Sequence, residues 1–239
     1  IGPSQRLFRI LAMPASKYVA IDTVIFDLDG TLIDSEPDLR IALNKLLTLL
    51  GRRPVTRDEV VMMVGDGVLK LVERALRVVD AESDVTLDAA VAQFLKFYEA
   101  APADLSSPFP GAVETVRTLK ADGIKLGVCT NKPEAPAREI LATFGFLELF
   151  EVIIGGDTLA DARKPNPRPL AAAIEAVHSQ PERAVMVGDS ANDIDMAKAL
   201  RVRSVAVSFG YPRGSVADLG ADKVIDDFSE LRELLVGVA

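Results

Sequence analysis

The sequence predicts an α/β protein, a doubly wound, Rossmann-like parallel sheet with a small helical cap inserted near its start. Three observations carry that expectation. Short apolar runs alternate with segments of helical periodicity, the order of βαβ units. The stretch from about Glu36 to Ser106 breaks the alternation and holds helical periodicities alone. A length of 239 residues suits one substantial α/β domain carrying a smaller insert.

In chain order, residues 1–18 read as an N-terminal appendage. Their basic and apolar segment Arg6–Leu11 is too short and interrupted for a signal peptide. Thr23-Val24-Ile25-Phe26 is a continuous β-rich run ending in two aspartates and a glycine, the pattern of a buried parallel strand that delivers side chains at its carboxyl end. The helical block follows, with apolar positions Leu39, Leu43, Leu46, Leu47 and Leu50, then Leu69, Leu71, Val72, Leu76 and Val79, then Leu87 through Tyr98. Pro37 and Gly51 punctuate it, and Pro108-Phe109-Pro110-Gly111 marks the return. The cap is therefore expected over 36–106, and the core over 19–35 and 107–239.

Further strands are expected at Lys125–Cys129, Val152–Ile154, Ala184–Val187 and Ser204–Val207, with Lys223–Ile225 as an edge. Between them lie helical patterns at Ala112–Asp122, Glu134–Phe144, Pro167–Val177 and Ala191–Leu200. In an open parallel sheet the ligand crevice lies at the carboxyl ends of the strands, which is where the insert leaves the core and would act as a lid.

Bulk properties narrow the function. Hydrophobic residues form 49% of the chain and charged residues 26%, the balance of a globular enzyme. A net charge of −8 argues against a nucleic-acid partner. One cysteine, Cys129, excludes an internal disulfide, and one histidine, His178, leaves no zinc constellation. With no apolar run near 18 residues, neither a transmembrane helix nor a membrane partner is expected, and the composition suits a reducing cytoplasm.

The chemistry gathers after the strands. Asp27 and Asp29 sit where the first strand ends, and Gly188-Asp189-Ser190-Ala191-Asn192-Asp193 follows a later one. Four carboxylates in one pocket repel one another and raise each other's pKa values, a conflict that a divalent cation removes. Donors that are all oxygen select a hard ion such as Mg²⁺. An aspartate beside such an ion can attack phosphorus, while a second carboxylate protonates the leaving alkoxide and then activates water. Thr130-Asn131-Lys132 offers a hydroxyl and backbone N–H groups to phosphate oxygens, and Lys164 offers a positive charge, which lets an acidic protein hold a small phosphate monoester.

These four segments, in this order, resemble the four motifs of the haloacid dehalogenase superfamily over nearly the whole chain after Ala20. Within it the chain is similar to the phosphoglycolate phosphatases, through Val64-Gly65-Asp66-Gly67-Val68, Phe109-Pro110-Gly111, Thr130-Asn131-Lys132-Pro133, Gly155-Gly156-Asp157 and Phe209-Gly210-Tyr211. The resemblance implies Asp27 as nucleophile and metal ligand, and Asp29 as acid/base that also gives its backbone carbonyl to Mg²⁺. It further implies Asp189 as metal ligand, Asp193 as an indirect or water-mediated metal partner, and Thr130 and Lys164 as the phosphoryl-binding pair. The substrate it implies is 2-phosphoglycolate. Other small phosphatases, a phosphosugar mutase and a phosphorylatable sensor remain as rivals, and the oligomer is a monomer or a homodimer.

The remaining readings are plainer. Gly65 and Gly67 either form a simple turn between cap helices or close their backbone over the substrate, with Asp66 standing where the family carries asparagine. Arg74 and Lys70 are either surface residues or substrate contacts. Cys129 is expected to pack as a small core hydrophobe, and His178 to meet the terminal carbonyls of a helix.

Overall fold

The computed structural model describes residues 20–100, 103–211 and 213–236. The appendage expected at 1–18 lies outside the described residues. A strand buried on both faces is a near-continuous apolar run. Thr23–Phe26, strand β1, has every residue buried, and its one polar side chain, Thr23, donates to Asp22 Oδ1 at 2.8 Å. After it come a two-residue strand β2 (Ile33–Asp34), helices α1 (Glu36–Leu49), α2 (Arg57–Val61), α3 (Val68–Val78) and α4 (Leu87–Glu99), and a second short strand β3 (Ser107–Pro108). The chain continues through α5 (Ala112–Ala121), β4 (Lys125–Cys129), α6 (Glu134–Thr143), β5 (Val152–Ile154), α7 (Arg168–Ala176) and β6 (Ala184–Gly188). It closes with α8 (Ala191–Leu200), β7 (Arg203–Val207), β8 (Lys223–Ile225) and α9 (Ser229–Val236).

Six strands form one parallel sheet in the order β5-β4-β1-β6-β7-β8, with β1 central, as a doubly wound fold requires. Successive side chains of a strand face opposite ways. Val24 and Phe26 accordingly enter a layer with Val116 and Leu119 of α5 and Ile140 and Leu141 of α6. Ile25 points to the other side, where it joins Leu170 and Ile174 of α7 and Met196 and Ala197 of α8. The expected strands and helices of this part fall where the apolar runs put them, to within one residue at each end.

The helices between β2 and β3 share a hydrophobic cluster of their own. Leu39, Leu43, Leu46 and Leu47 of α1 pack with Val72 and Leu76 of α3 and Phe94 of α4. Truncating any one of these buried leucines to alanine would cost about 2–5 kcal/mol, the transfer term plus the cavity left behind. At the start of α1, Glu36 and Asp38 lie at the positive end of the helix dipole and Pro37 occupies a position where its missing N–H is not needed.

Besides the C-terminal helix α9, two features were not expected from the sequence. Helix α2 is a single turn entered through a capping box, in which the Thr56 hydroxyl accepts from Glu59 N and the Glu59 carboxylate accepts from Thr56 N. Strands β2 and β3 pair antiparallel, Ile33 opposite Pro108 and Asp34 opposite Ser107, so both passages between core and helical layer run through one small ribbon. Buried Asp38 fastens it further by accepting from Leu105 N at 3.1 Å, Ser106 N at 2.7 Å and Ser106 Oγ at 2.6 Å. None of the helices is long and apolar enough to cross a membrane among the described residues.

Candidate active site

Parallel register assembles the site. Phe26 lies opposite Val128 on one side and Val187 on the other. Asp27, Thr130 and Asp189, which follow within two residues, therefore emerge along one edge of the sheet. The ladder extends past the strands to hold them, with Asp27 N donating to Val187 O and Thr130 N to Ile154 O, both at 2.9 Å. Gly30 then reverses the chain at φ +85°, and a side chain there would collide with the Asp189 carboxylate.

Asp27, Asp189 and Asp193 are all buried and place one carboxylate oxygen each within 4.8 Å of the others. Lys164 runs between two of them, with Nζ 2.7 Å from Asp27 Oδ1 and 2.6 Å from Asp193 Oδ1. Asp193 is also tied through Oδ2 to the Ser190 hydroxyl at 2.6 Å, the start of α8. Asp189 accepts from Tyr211 N at 2.7 Å and Thr31 Oγ1 at 3.3 Å. Asp27 Oδ1 takes Leu28 N at 2.7 Å besides Lys164, whereas its Oδ2 accepts no hydrogen bond from the described residues.

One lysine does not balance three buried carboxylates. Burial, reinforced by Asp193, pushes Asp27 up to about 8 even though Lys164 opposes the shift. The same causes raise Asp189 to about 7. Burial alone would lower the Lys164 pKa, but Asp193 and Asp27 hold it above its ordinary value, so the ammonium stays charged. A cluster of oxygen donors short of positive charge suits a hard divalent cation, which would restore ionisation of Asp27 and Asp189.

Asp29 is aimed elsewhere. Its carboxylate accepts from Ser35 Oγ at 2.7 Å and from Lys132 Nζ at 3.1 and 3.2 Å, beside the cluster but outside it. Thr130 is buried, and its hydroxyl accepts from Lys132 N at 3.2 Å. Asn131 braces three segments: its amide donates to Gly65 O at 2.9 Å and Lys164 O at 3.2 Å, and its oxygen accepts from Lys164 N at 3.0 Å.

The Gly65-Asp66-Gly67 turn thereby touches the core directly. Asn192 donates to Gly65 O at 3.2 Å and to Asp66 Oδ1 at 2.6 Å, and Arg213 reaches both Val64 O and Asp66 Oδ2. Asp66 is also paired with Arg74 at 2.5 Å, which makes Arg74 a brace of the turn. Lys70 is exposed and paired with Glu73. Beneath the turn lies a cavity of about 60 Å³, reached by Asp27, Asp29, Thr130 and Asn131 from below and roofed by Leu39, Val64, Val68, Leu71 and Phe94, with Gly65 and Gly67 at its rim.

Sequence reasoning treated Lys132 only as a source of backbone N–H and did not single out Tyr98, yet both side chains are buried and line this cavity. The signal for Tyr98 was its place on the apolar stripe of α4, which reads equally well as packing. Cys129 is fully buried and its thiol is pushed up to about 12, foremost by that burial. His178 ends α7 through its own backbone, at φ +52° with its N–H donating to Glu175 O.

Known proteins carry the same design. A family model of haloacid dehalogenase-like hydrolases matches residues 21–201. A phosphoglycolate phosphatase of Rhodospirillum rubrum is 45% identical over 217 residues, covering 89% of this chain and 90% of the relative. One of Caulobacter vibrioides is 45% identical over 210 residues, covering 87% and 88%. The crystal structure of a predicted phosphoglycolate phosphatase from Haemophilus somnus superposes with a TM-score of 0.85 at 30% identity, covering 90% of this chain and 97% of that one. The chain belongs to the haloacid dehalogenase-like hydrolases.

Proposed function

We propose that this hydrolase is a Mg²⁺-dependent phosphatase that converts 2-phosphoglycolate to glycolate and inorganic phosphate through an aspartyl phosphate on Asp27. The observation that carries the reading is the pairing of an acidic cluster at the strand ends with a small cavity above it. The names of the relatives from Rhodospirillum rubrum and Caulobacter vibrioides support the substrate.

Asp27, Asp189 and the Asp29 backbone carbonyl would hold the ion, with Asp193 behind them because both its oxygens are engaged by Lys164 and Ser190. When bound, Mg²⁺ supplies charge neutralisation for the phosphoryl oxygens and keeps Asp27 ionised. Asp27 Oδ2, free of hydrogen bonds from the described residues, attacks phosphorus and forms the new P–O bond while the ester P–O bond breaks. Lys164, the Thr130 hydroxyl and the neighbouring N–H groups steady the transferring group. Asp29, oriented by Ser35, gives its proton to the departing alkoxide. A water then attacks phosphorus, Asp29 takes back a proton, and phosphate leaves with Asp27 regenerated.

The 36–106 segment acts in this reading as the cap, and its backbone at Gly65 and Gly67 closes over the leaving group. At one water-sized group per 10–15 Å³, the chamber has room for roughly four to six such groups beyond the protein wall. That suits a two-carbon leaving group better than a hexose. The test is steady-state phosphate release from a panel of phosphate monoesters with Mg²⁺, in the wild type and in Asp27→Asn. Multiple turnover on 2-phosphoglycolate, abolished in the variant, is expected. A preference for sugar phosphates by orders of magnitude in kcat/KM would remove the substrate assignment, and no turnover on any ester would remove the enzymatic one.

A further inference from the structure

We propose that Tyr98 and Lys132 form a subsite that selects esters whose leaving group ends in a carboxylate, by donating an O–H and an N–H to it from neighbouring positions on one wall of the chamber. This rests on the phosphatase reading above and names what that reading leaves open, the groups that distinguish one small ester from another.

Two facts about Tyr98 point to a ligand. Its side chain is buried and lines the cavity, and its hydroxyl has no hydrogen-bond partner among the described residues. Buried hydroxyls are nearly always satisfied, so an orphaned one facing a cavity marks a place where something polar binds. The ring is fixed from both sides. Phe94 stacks on it with centroids 5.8 Å apart and planes 9° from parallel, and Lys132 Nζ sits 4.7 Å from its centroid. The ammonium lies over the ring and acts on the hydroxyl electrostatically, without a hydrogen bond of normal geometry between them. Burial, the main cause, raises the Tyr98 pKa against the pull of Lys132, so the group is an O–H donor at neutral pH.

Lys132 supplies the charge. Its ammonium is buried and has three donors, of which the two Asp29 oxygens take two. The third meets no acceptor at normal hydrogen-bond geometry among the described residues, and the rest of the roof beside it is apolar: Leu39, Val64, Val68, Leu71 and Phe94 offer no polar side-chain group. The one further ionisable residue of the cap that reaches the cavity, Glu99, has an exposed side chain and stands at its mouth. A leaving group that reached this wall with a methyl end would leave both donors unpaired. A carboxylate end satisfies both and sits against a positive charge beneath an apolar roof. Such a site rejects the analogue that lacks the polar group far more strongly than an apolar pocket rejects an extra methylene.

The experiment compares 2-phosphoglycolate with ethyl phosphate, which keeps the two carbons of the leaving group and lacks the carboxylate oxygens, in the wild type, Tyr98→Phe and Lys132→Met. The wild type is expected to favour 2-phosphoglycolate by roughly 100-fold or more in kcat/KM. Tyr98→Phe should lose about 10-fold or more of that ratio through KM for 2-phosphoglycolate, with ethyl phosphate changed less than about 2-fold. It should also melt no lower than the wild type without ligand, since it deletes a hydroxyl that has no partner. Lys132→Met lowers both rates because it also releases Asp29, but should bring the two esters within about 10-fold of each other. Retention of the collapsed ratio with another carboxylate ester, such as 2-phospholactate, as the better substrate would support the subsite while replacing the assigned substrate. Equal proportional losses on both esters, or no preference in the wild type, would overturn the subsite and leave the phosphatase reading standing; no turnover of any ester would overturn both.

Discussion

Replacing Lys164 with methionine isolates the electrostatics of the site. The ammonium is 1% exposed and lies 2.7 and 2.6 Å from carboxylate oxygens of Asp27 and Asp193. Removing one partner of a buried ion pair costs about 3–5 kcal/mol because the charges left behind stay desolvated. At about 2–4 °C per kcal/mol for a chain of this size, the metal-free protein should melt about 6–20 °C lower. The loss should depend on pH with a definite sign. Asp27 is already raised by burial to about 8, above its unfolded value, so its ionisation destabilises the fold progressively as pH rises toward 8. Without Lys164 that titration moves still higher and the penalty keeps growing over the added window, at up to about 1.4 kcal/mol per pH unit. Lys164 itself stays charged throughout, so it adds no slope of its own. Thermal unfolding in chelator at about pH 6 and about pH 9 measures the difference, and the loss should be larger at the higher pH. An equal loss at both, or one below about 1 kcal/mol at both, would refute the picture of Lys164 as the counter-charge of the cluster.

Three further outcomes follow from the same geometry. The gain in melting temperature on adding excess Mg²⁺ should rise between about pH 6 and pH 9, because Asp27 near 8 and Asp189 near 7 must shed protons to accept an ion; a pH-independent gain would contradict this. Asp38→Ala strips the acceptor from Leu105 N, Ser106 N and the Ser106 hydroxyl where the two passages between core and helical layer meet. It should lower stability by about 2–4 kcal/mol in urea unfolding, and a change within about 0.5 kcal/mol would show that these hydrogen bonds do not hold the ribbon. Asp66→Ala removes the anchor of Arg74, Arg213 and Asn192, so KM should rise about 10-fold with a small change in melting temperature and faster amide exchange at 64–68; unchanged exchange there would show that the turn is held by its backbone contacts alone.

What the sequence made legible follows from range. Buried parallel strands are continuous apolar runs, so Thr23–Phe26, Lys125–Cys129 and Val152–Ile154 can be read from local composition, and Asp27, Thr130 and Asp189 follow as strand-end residues. Helix α1 announces itself through four leucines on one face. Helix α2 has five residues, too few to show a period, although Thr56-x-x-Glu59 carried a readable capping signal. The β2–β3 ribbon pairs residues more than 70 apart through two-residue strands, and no local pattern encodes that. The direction of a side chain is equally invisible: the sequence places Lys132 in a phosphate-binding segment, but only the fold turns its ammonium toward Asp29 and Tyr98. Likewise Asp193, one carboxylate among four in the sequence, is consumed by Lys164 and the cap of α8.

The central claim is that Asp27 carries the phosphoryl group. Acid quenching during turnover of 2-phosphoglycolate with Mg²⁺, followed by borohydride reduction and peptide mass spectrometry, tests it most directly, since reduction of an aspartyl phosphate leaves homoserine in place of the aspartate. The account predicts homoserine at position 27 in the wild type, dependent on substrate and absent from Asp27→Asn. Steady turnover with position 27 unmodified, or modification at Asp29 or Asp189 instead, would contradict it.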